Sequence, residues 1–226
     1  MIENENVGLR SNSFTNTPSG EAFKTLRTNL LYSESARVIT VTSSLPSEGK
    51  SYTSFNLALS FALIQKRTLL IDCDLRKGTI KRYISTKHPL EGLSEGLTGQ
   101  ADSIIQGTNN PYLDIVVAGK YPPNPSELLS NDTFKRFIEN LKQEYDYIIL
   151  DTPPLAASAD ATIVGQLSDG VVLVVRNDYV KKKIVQRTKE QLLRNGSRVL
   201  GVVLNRVKKG QEEFKNYSYG YYYGEK

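Results

Sequence analysis

One short stretch and three carboxylates carry the chemistry that this sequence can do. Residues 43 to 51 read SSLPSEGKS, and a phosphate-binding loop asks for Gly, four residues, then Gly-Lys-Ser/Thr. Gly49, Lys50 and Ser51 meet that pattern, while Ser44 stands where the first glycine belongs. Most of the device survives the departure. The backbone N–H groups of such a loop and the helix N-terminus behind it favour an anion, a lysine reaches the β and γ phosphates, and the hydroxyl of the next serine ligates Mg²⁺. A nucleoside triphosphate is the expected ligand, with Ser47, Glu48, Gly49, Lys50, Ser51 and Tyr52 as its binding set. The bland alternative, a Gly-Lys turn of no consequence, is disfavoured by a strand before it and a helix after it.

The carboxylates close two other apolar runs. LLIDCDLR places Asp72 and Asp74 two residues apart, which in an extended chain puts both on one side, close enough to share a metal or a proton. YIILDTPP ends in Asp151, where P-loop enzymes carry the acid that holds Mg²⁺. A single acid at a strand end often only caps the next helix. Three of them, at the ends of two apolar strands in a chain with a phosphate loop, point to metal-assisted phosphoryl chemistry.

The elements that must position these groups alternate in type. VITVTS (38 to 43), TLLIDCD (68 to 74), LDIVVAG (113 to 119), YDYIILD (145 to 151), GVVLVVR (170 to 176) and RVLGVVLN (198 to 205) are short, β-branched and nearly continuous in apolar character. Such runs read as strands covered on both faces. Between them, SYTSFNLALSFALIQ (51 to 65), FKRFIENLKQEY (134 to 145) and KKIVQRTKEQLLRN (182 to 195) have helical spacing, the last ended by Gly196. The alternation predicts an α/β fold with a doubly wound, mostly parallel sheet flanked by helices, whose ligands bind at the carboxyl ends of the strands. Residues 77 to 112 mix short helical patterns with glycines and read as an irregular excursion on that ligand side. AGKYPPNPSELL is a proline-stiffened loop entering a helix at Ser126.

Composition bounds the rest. A chain of 226 residues suits one core with tails, not two independent domains. We expect a flexible segment over 1–20, a nucleotide-binding domain over 21–207 and a flexible tail over 208–226. No apolar run reaches the roughly 18 residues of a membrane span, and the polar start lacks a secretory pattern, so a cytoplasmic protein is expected. Cys73 and His88 are the only residues of their kinds, so neither an intrachain disulfide nor a zinc cluster can form. The run Lys181, Lys182, Lys183 reads first as a solvated helix face and second as a site for an acidic partner. No nucleic-acid partner is expected. The ending YSYGYYYGEK fits no core, since its tyrosines have no helical face and follow the last predicted strand.

SSLPSEGKS, LLIDCDLR and YIILDTPP, in that order and followed by a tyrosine-rich tail, resemble the Walker A, A′ and B motifs of the bacterial tyrosine kinases. They are most similar to the separate cytoplasmic kinases of Gram-positive capsule and exopolysaccharide systems. PPNPSELL (122 to 129) resembles a further family segment, and serine in place of the first loop glycine is usual there. The resemblance implies a P-loop NTPase fold, ATP and Mg²⁺ as cofactors, and Lys50, Asp72 and Asp74 as catalytic residues. Ser51, Asp74 and Asp151 would surround the metal, and Asp72 would accept or orient the proton of an incoming tyrosine. A carboxylate with pKa near 4 is a poor base for a phenol near 10, so its part is mostly positional until a loose transition state has formed. Asn205 matches a residue that contacts adenine, with Arg206 nearby.

The same resemblance gives the tail a role. Tyr217, Tyr219, Tyr221, Tyr222 and Tyr223 would be phosphorylated in the active site of a neighbouring protomer. Added phosphates, each of about −1.5 to −2 charges, would then expel the tail. EAFKTLR (21 to 27) is similar to a Glu-x-x-Arg-x-x-Arg motif that joins protomers into a ring, with Glu21 and Arg27 matching and Lys24 departing. Lysine lacks the planar fork of arginine, so that contact would be weaker; the segment also reads as a plain amphipathic helix with charged pairs. The implied partners are a second copy of the chain, a membrane activator with a cytosolic tail that recruits the kinase to the inner membrane face, and a tyrosine phosphatase. Two other readings stay open: a positioning ATPase of the same fold, which would carry a lysine where Leu45 stands, and a nucleotide-gated regulator without phosphotransfer.

Overall fold

Strands with two buried faces need helices on both sides, and this requirement sets the architecture. The structure, a computed structural model, describes residues 7–10, 17–33 and 36–207. In chain order the elements are β1 (Gly8–Leu9), α1 (Pro18–Leu31), β2 (Val38–Ser43), α2 (Lys50–Ala62), β3 (Thr68–Asp72), a 3₁₀ turn (Ile80–Tyr83), β4 (Ile84–Ser85), α3 (Leu93–Leu97), β5 (Gln106–Gly107), β6 (Leu113–Val116), α4 (Pro125–Ser130), α5 (Asp132–Leu141), β7 (Tyr147–Asp151), α6 (Asp160–Leu167), β8 (Gly170–Arg176), α7 (Lys182–Arg194) and β9 (Val199–Asn205). Seven strands form one sheet in the order β5-β6-β3-β7-β2-β8-β9, all parallel except the short edge strand β5. β2 lies between β7 and β8, and β3 flanks β7 on its other side. The carboxyl ends of β2, β7 and β3 are therefore neighbours, and the register sets Asp72 opposite Asp151 and Asp151 opposite Val41.

The period of two along each strand sorts side chains between two cores. Ile39, Val41, Leu70, Ile149, Val172 and Val174 pack with Phe55 and Phe61 of α2 and with Phe23 and Leu30 of α1. Val38, Leu69, Ile71, Ile148 and Leu150 pack on the opposite face with Phe134, Ile138 and Leu141 of α5 and Val164 of α6. Helix α5 starts cleanly because Asn131 Oδ1 accepts from the Phe134 N–H at 2.9 Å, the N-cap bond that a first-turn amide requires. Asp169 ties the sheet together at its amino end, where Oδ2 accepts from the amides of Arg37 and Val38 at 2.8 and 2.7 Å.

Four expectations need correction, and one helix was not expected. β3 ends at Asp72, so Asp74 belongs to the turn that follows and not to an extended strand. The helix expected from Ser126 begins at Pro125, after Asn124, because proline suits the first helical position. Residues 77–112 hold α3 and two short strands, and the buried Glu95 anchors α3. Its carboxylate accepts from the amides of Gly92 and Lys120, both at 3.0 Å; burial alone would raise its pKa, and these N–H bonds hold it below the ordinary value. The segment 1–20 is not uniformly loose at its described residues. Val7 is buried and donates to the Gly107 carbonyl at 2.8 Å, Gly8 and Leu9 pair with Ser85 and Ile84, and α1 starts at Pro18 with Thr17 as its cap. Finally, α6 escaped the sequence pattern because its eight residues are too few to show a period. The tail with Tyr217, Tyr219, Tyr221, Tyr222 and Tyr223 lies outside the described residues.

Candidate active site

The loop between β2 and α2 takes two left-handed residues, Ser47 at φ 65° and Gly49 at φ 97°. Only glycine fits at the second: a Cβ there would lie 2.0 Å from Asn205 Nδ2. Helix α2 then starts at Lys50, so its free amides face the loop. Thr53 anchors this start by donating its hydroxyl to the Gly49 carbonyl at 3.0 Å. From the far side, the amides of Leu155 and Ala156 donate to the carbonyls of Ser43 and Ser44, which braces the loop from beneath. The Ser44 hydroxyl is buried without a hydrogen-bond partner.

Three acids lie beside this loop at different depths. Asp151 and Asp72 are fully buried, whereas Asp74 keeps 8% exposure. Asp151 Oδ1 accepts from the Ser54 hydroxyl at 2.9 Å, and its Oδ2 is buried without a partner. Burial pushes its pKa up to about 6, against the pull of the Lys50 charge and of the Ser51 and Ser54 hydroxyls. Asp72 accepts at both oxygens, from the Asp74 amide at 3.1 Å and from the Ile80 amide at 3.0 Å. Burial first, and then the charge of Asp151, hold its pKa well above the ordinary carboxylate value. Asp74 Oδ1 accepts from the Lys77 amide at 2.9 Å. Cys73 between them is buried, and burial followed by the charge of Asp72 pushes its thiol pKa upward, so it is inert.

These groups can serve a divalent cation and a phosphate. Among the described residues no three His, Cys, Asp or Glu side chains are grouped to hold a metal alone. Mg²⁺ at a nucleotide takes one or two carboxylates, waters and phosphate oxygens. Ser51, Asp74 and Asp151 fit that donor set, and the unpartnered oxygen of Asp151 is the lone pair that such a cation would use. The Ser51 hydroxyl accepts from Thr79 Oγ1 at 2.6 Å, which ties the turn after β3 to the first turn of α2.

The remaining predicted residues are placed as follows. The Glu48 carboxylate is fully buried and accepts from the backbone amides of Leu45 and Arg176. Tyr52 is 40% exposed, with its ring edge-on to Phe23. Asn205 donates to the Glu48 carbonyl at 2.8 Å and accepts from the Arg206 amide at 2.9 Å, and Arg206 is exposed with a left-handed backbone. Glu21 and Lys24 pair with each other at 2.7 Å on α1. Arg27 turns inward to the Ser60 carbonyl at 2.7 Å, and its Nε is buried without a partner.

Sequence reasoning read Ser126 only as a helix start and missed Arg76 and Asp160. Arg76 Nε donates to Asp160 Oδ2 at 3.1 Å and its Nη2 to Ser126 Oγ at 3.0 Å, while the Ser126 hydroxyl donates to Asp160 Oδ1 at 2.5 Å. The bond to Asp160 raises the Arg76 pKa above its ordinary value. The cluster pins the turn after β3 to the starts of α4 and α6. Its only sequence signal was an acid at the start of an unrecognised helix.

Comparison with known proteins gives concordant results. A family model described as an AAA domain matches residues 36–195. The tyrosine-protein kinase CpsD of Streptococcus agalactiae is 41% identical over 204 residues, which cover 88% of this chain and 89% of that one. The tyrosine-protein kinase YwqD of Bacillus subtilis is 37% identical over 209 residues, covering 90% and 86%. Among solved structures, the chimerical protein CapA2B2 superposes with a TM-score of 0.82 at 32% identity, covering 89% of this chain and 93% of that one.

Proposed function

Because this chain belongs to the family of bacterial tyrosine-protein kinases, we propose that it moves the γ-phosphoryl group of ATP onto tyrosines of its own C-terminal tail, in the active site of a neighbouring protomer. The observation that carries the proposal is the carboxylate pair under the phosphate loop. Asp151 and Asp72 face each other across neighbouring strands, both fully buried and both with raised pKa, and one oxygen of Asp151 is unpartnered. Such a pair costs free energy unless a cation or a proton offsets it.

In the proposed reaction the loop amides and Lys50 hold the triphosphate. The tyrosine oxygen forms a bond to the γ-phosphorus as the bond to the β-bridging oxygen breaks, and ADP leaves. The phenolic proton passes to a carboxylate, for which Asp72 is the better base because its pKa is raised. Asp72 is fully buried beneath the turn through Gly78 and Ile80, so the hydroxyl reaches it only when that turn lifts; Asp74 lies nearer the surface. Ser51, Asp151 and Asp74 would hold Mg²⁺, which when bound would neutralise charge on the phosphates. We further propose that the kinase regulates capsule or exopolysaccharide synthesis. In this reading it forms rings through the Glu21, Lys24 and Arg27 helix, is activated at the inner membrane face by a membrane protein's cytosolic tail, and is reset by a tyrosine phosphatase.

The test is incubation of the purified chain with ATP and Mg²⁺, with and without an activator fragment, followed by peptide mass spectrometry. Phosphate on Tyr217, Tyr219, Tyr221, Tyr222 or Tyr223 that is lost in Lys50→Met and Asp72→Ala is the expected outcome. An unmodified tail in a chain that binds ATP, with activator present, refutes it.

A further inference from the structure

A carboxylate inside a phosphate loop works against the anion that the loop is meant to hold. Glu48 is one, a single residue before Gly49, and it is fully buried. Its two oxygens have distinct partners. Oε1 accepts from the Leu45 amide at 2.6 Å, closing the loop on itself across three residues. Oε2 accepts from the Arg176 amide at 3.0 Å, at the carboxyl end of β8. The backbone of the same residue makes a third tie, since the Glu48 carbonyl accepts from Asn205 Nδ2 at 2.8 Å, at the end of β9. Arg176 and Asn205 are opposite each other in the β8–β9 register, and the Asn177 amide donates to the Asn205 carbonyl at 2.9 Å.

Glu48 is thus the node at which the loop is joined to two strands beyond the one it grows from. The node occupies the Leu45 amide, one of the N–H groups that a phosphate loop otherwise offers. What this secures is shape. Between the two ends of the Leu45 bond lies Ser47 in a left-handed conformation, and Gly49 follows in another. Non-glycine residues adopt that region only where surrounding bonds impose it. Neighbouring groups do not compete for the carboxylate: no cationic side chain within salt-bridge distance of Glu48 is found among the described residues, and both of its hydrogen-bond donors are backbone amides.

We propose that Glu48 is a positioning residue for phosphoryl transfer, whose buried carboxylate holds the phosphate loop in its anion-binding shape and fastens it to the ends of β8 and β9. The inference rests on the nucleotide-binding reading given above. It explains why an acid is tolerated here: its charge is consumed by two amides and is not directed at the phosphates.

The experiment measures Mg²⁺-dependent binding of ADP and of pyrophosphate by calorimetry for the parent, Glu48→Gln, Glu48→Ala and Asn205→Ala, together with KM for ATP and kcat for tail phosphorylation. A glutamine side chain offers one acceptor and turns an NH₂ toward the other amide, so it breaks one tie at nearly constant volume. Affinity is expected to fall about tenfold in Glu48→Gln, for ADP and pyrophosphate alike, with KM for ATP rising in step. Adding Asn205→Ala to Glu48→Gln is expected to cost less than the two losses combined, because both act on one node. Unchanged affinities and KM in folded Glu48→Gln overturn the inference. A lowered melting temperature with unchanged binding overturns it as well, because it assigns Glu48 to stability alone. Glu48→Gln carries the test where Glu48→Ala does not fold. A parent chain that binds neither ligand overturns the nucleotide reading itself, a result separate from equal binding by parent and variants.

Discussion

Replacing Asp151 by asparagine is expected to stabilise the metal-free chain at neutral pH while abolishing its kinase activity. Folding moves this carboxyl from 3.8 to about 6, chiefly by burial. In the window between those values the folded state binds the proton that the unfolded state has lost, so stability falls as pH rises from 4 to 6 and stays low above. The full effect at pH 7.5 is about 3 kcal/mol. Asparagine recovers only part of it. Its oxygen still accepts from Ser54, but its NH₂ enters the place where Asp151 Oδ2 has no partner. Relief of the repulsion on Asp72 acts in the same direction. A net gain of about 1–2 kcal/mol corresponds to a rise in melting temperature of roughly 2–8 °C for a chain of this size. The assay is thermal unfolding of parent and Asp151→Asn in EDTA, at pH 7.5 and pH 4.5. The gain is expected at the higher pH and largely gone at the lower. Excess Mg²⁺ and ADP are expected to reverse the order, stabilising the parent more than the variant. No gain at pH 7.5, or an equal gain at both pH values, would refute the reasoning.

Gly49→Ala places a methyl group 2.0 Å from Asn205 Nδ2 at a backbone φ of 97°; a destabilisation of about 1–3 kcal/mol is expected, with ADP binding lost in titration and partly restored by Asn205→Ala. Arg76→Ala strips the buried Asp160 of its cation. The Arg76 side chain is itself 35% exposed, which tempers the effect, and unfolding curves should show a loss of about 1–3 kcal/mol, with kcat falling while ADP affinity is retained. Asn131→Ala removes the cap of α5 and should cost about 1 kcal/mol, seen as a melting temperature lower by roughly 2–4 °C with turnover unchanged.

The sheet was legible because buried parallel strands leave a local signature. VITVTS and GVVLVVR match β2 and β8 residue for residue, and the helical runs match α2, α5 and α7 to within a few residues. The loop, Asp72 and Asp151 were legible for a related reason, since each closes an apolar run and so must sit at a strand end. What stayed hidden depends on partners remote in sequence. Arg76 and Asp160 are 84 positions apart, and Glu48 meets the Arg176 amide across 128. Neither pair leaves a period or a spacing to read. Asp74 misled for the opposite reason. Its spacing from Asp72 suggested an extended chain, but the Asp72 carboxylate captures the Asp74 amide and bends the chain into a turn.

These hidden contacts fall into two groups around the carboxylate pair. Glu48 and Asn205 fasten the phosphate loop toward β8 and β9, while Arg76, Ser126 and Asp160 fasten the turn after β3 toward α4 and α6. Asp72 and Asp151 sit at the ends of adjacent parallel strands, Asp72 held by the amides of Asp74 and Ile80 and Asp151 by the Ser54 hydroxyl. Two buried acids would move apart if either strand end were loose, because their repulsion is unscreened there. The flanking ties remove that freedom, so the free energy of holding both acids stays in the site until a cation or a proton offsets it. Rigidity at the edges is then what allows the centre to carry strained electrostatics, and loosening either edge is expected to weaken the proposed metal site without touching an acid. The stretch at Gly78 lies over Asp72, where a Cβ would sit 2.5 Å from that of Ala118 and 3.0 Å from Asp72 Oδ2. Glycine lets this stretch lie close over Asp72, and in the proposed reaction its ties, the Ile80 amide to Asp72 and the Thr79 hydroxyl to Ser51, would have to open for a tyrosine to enter.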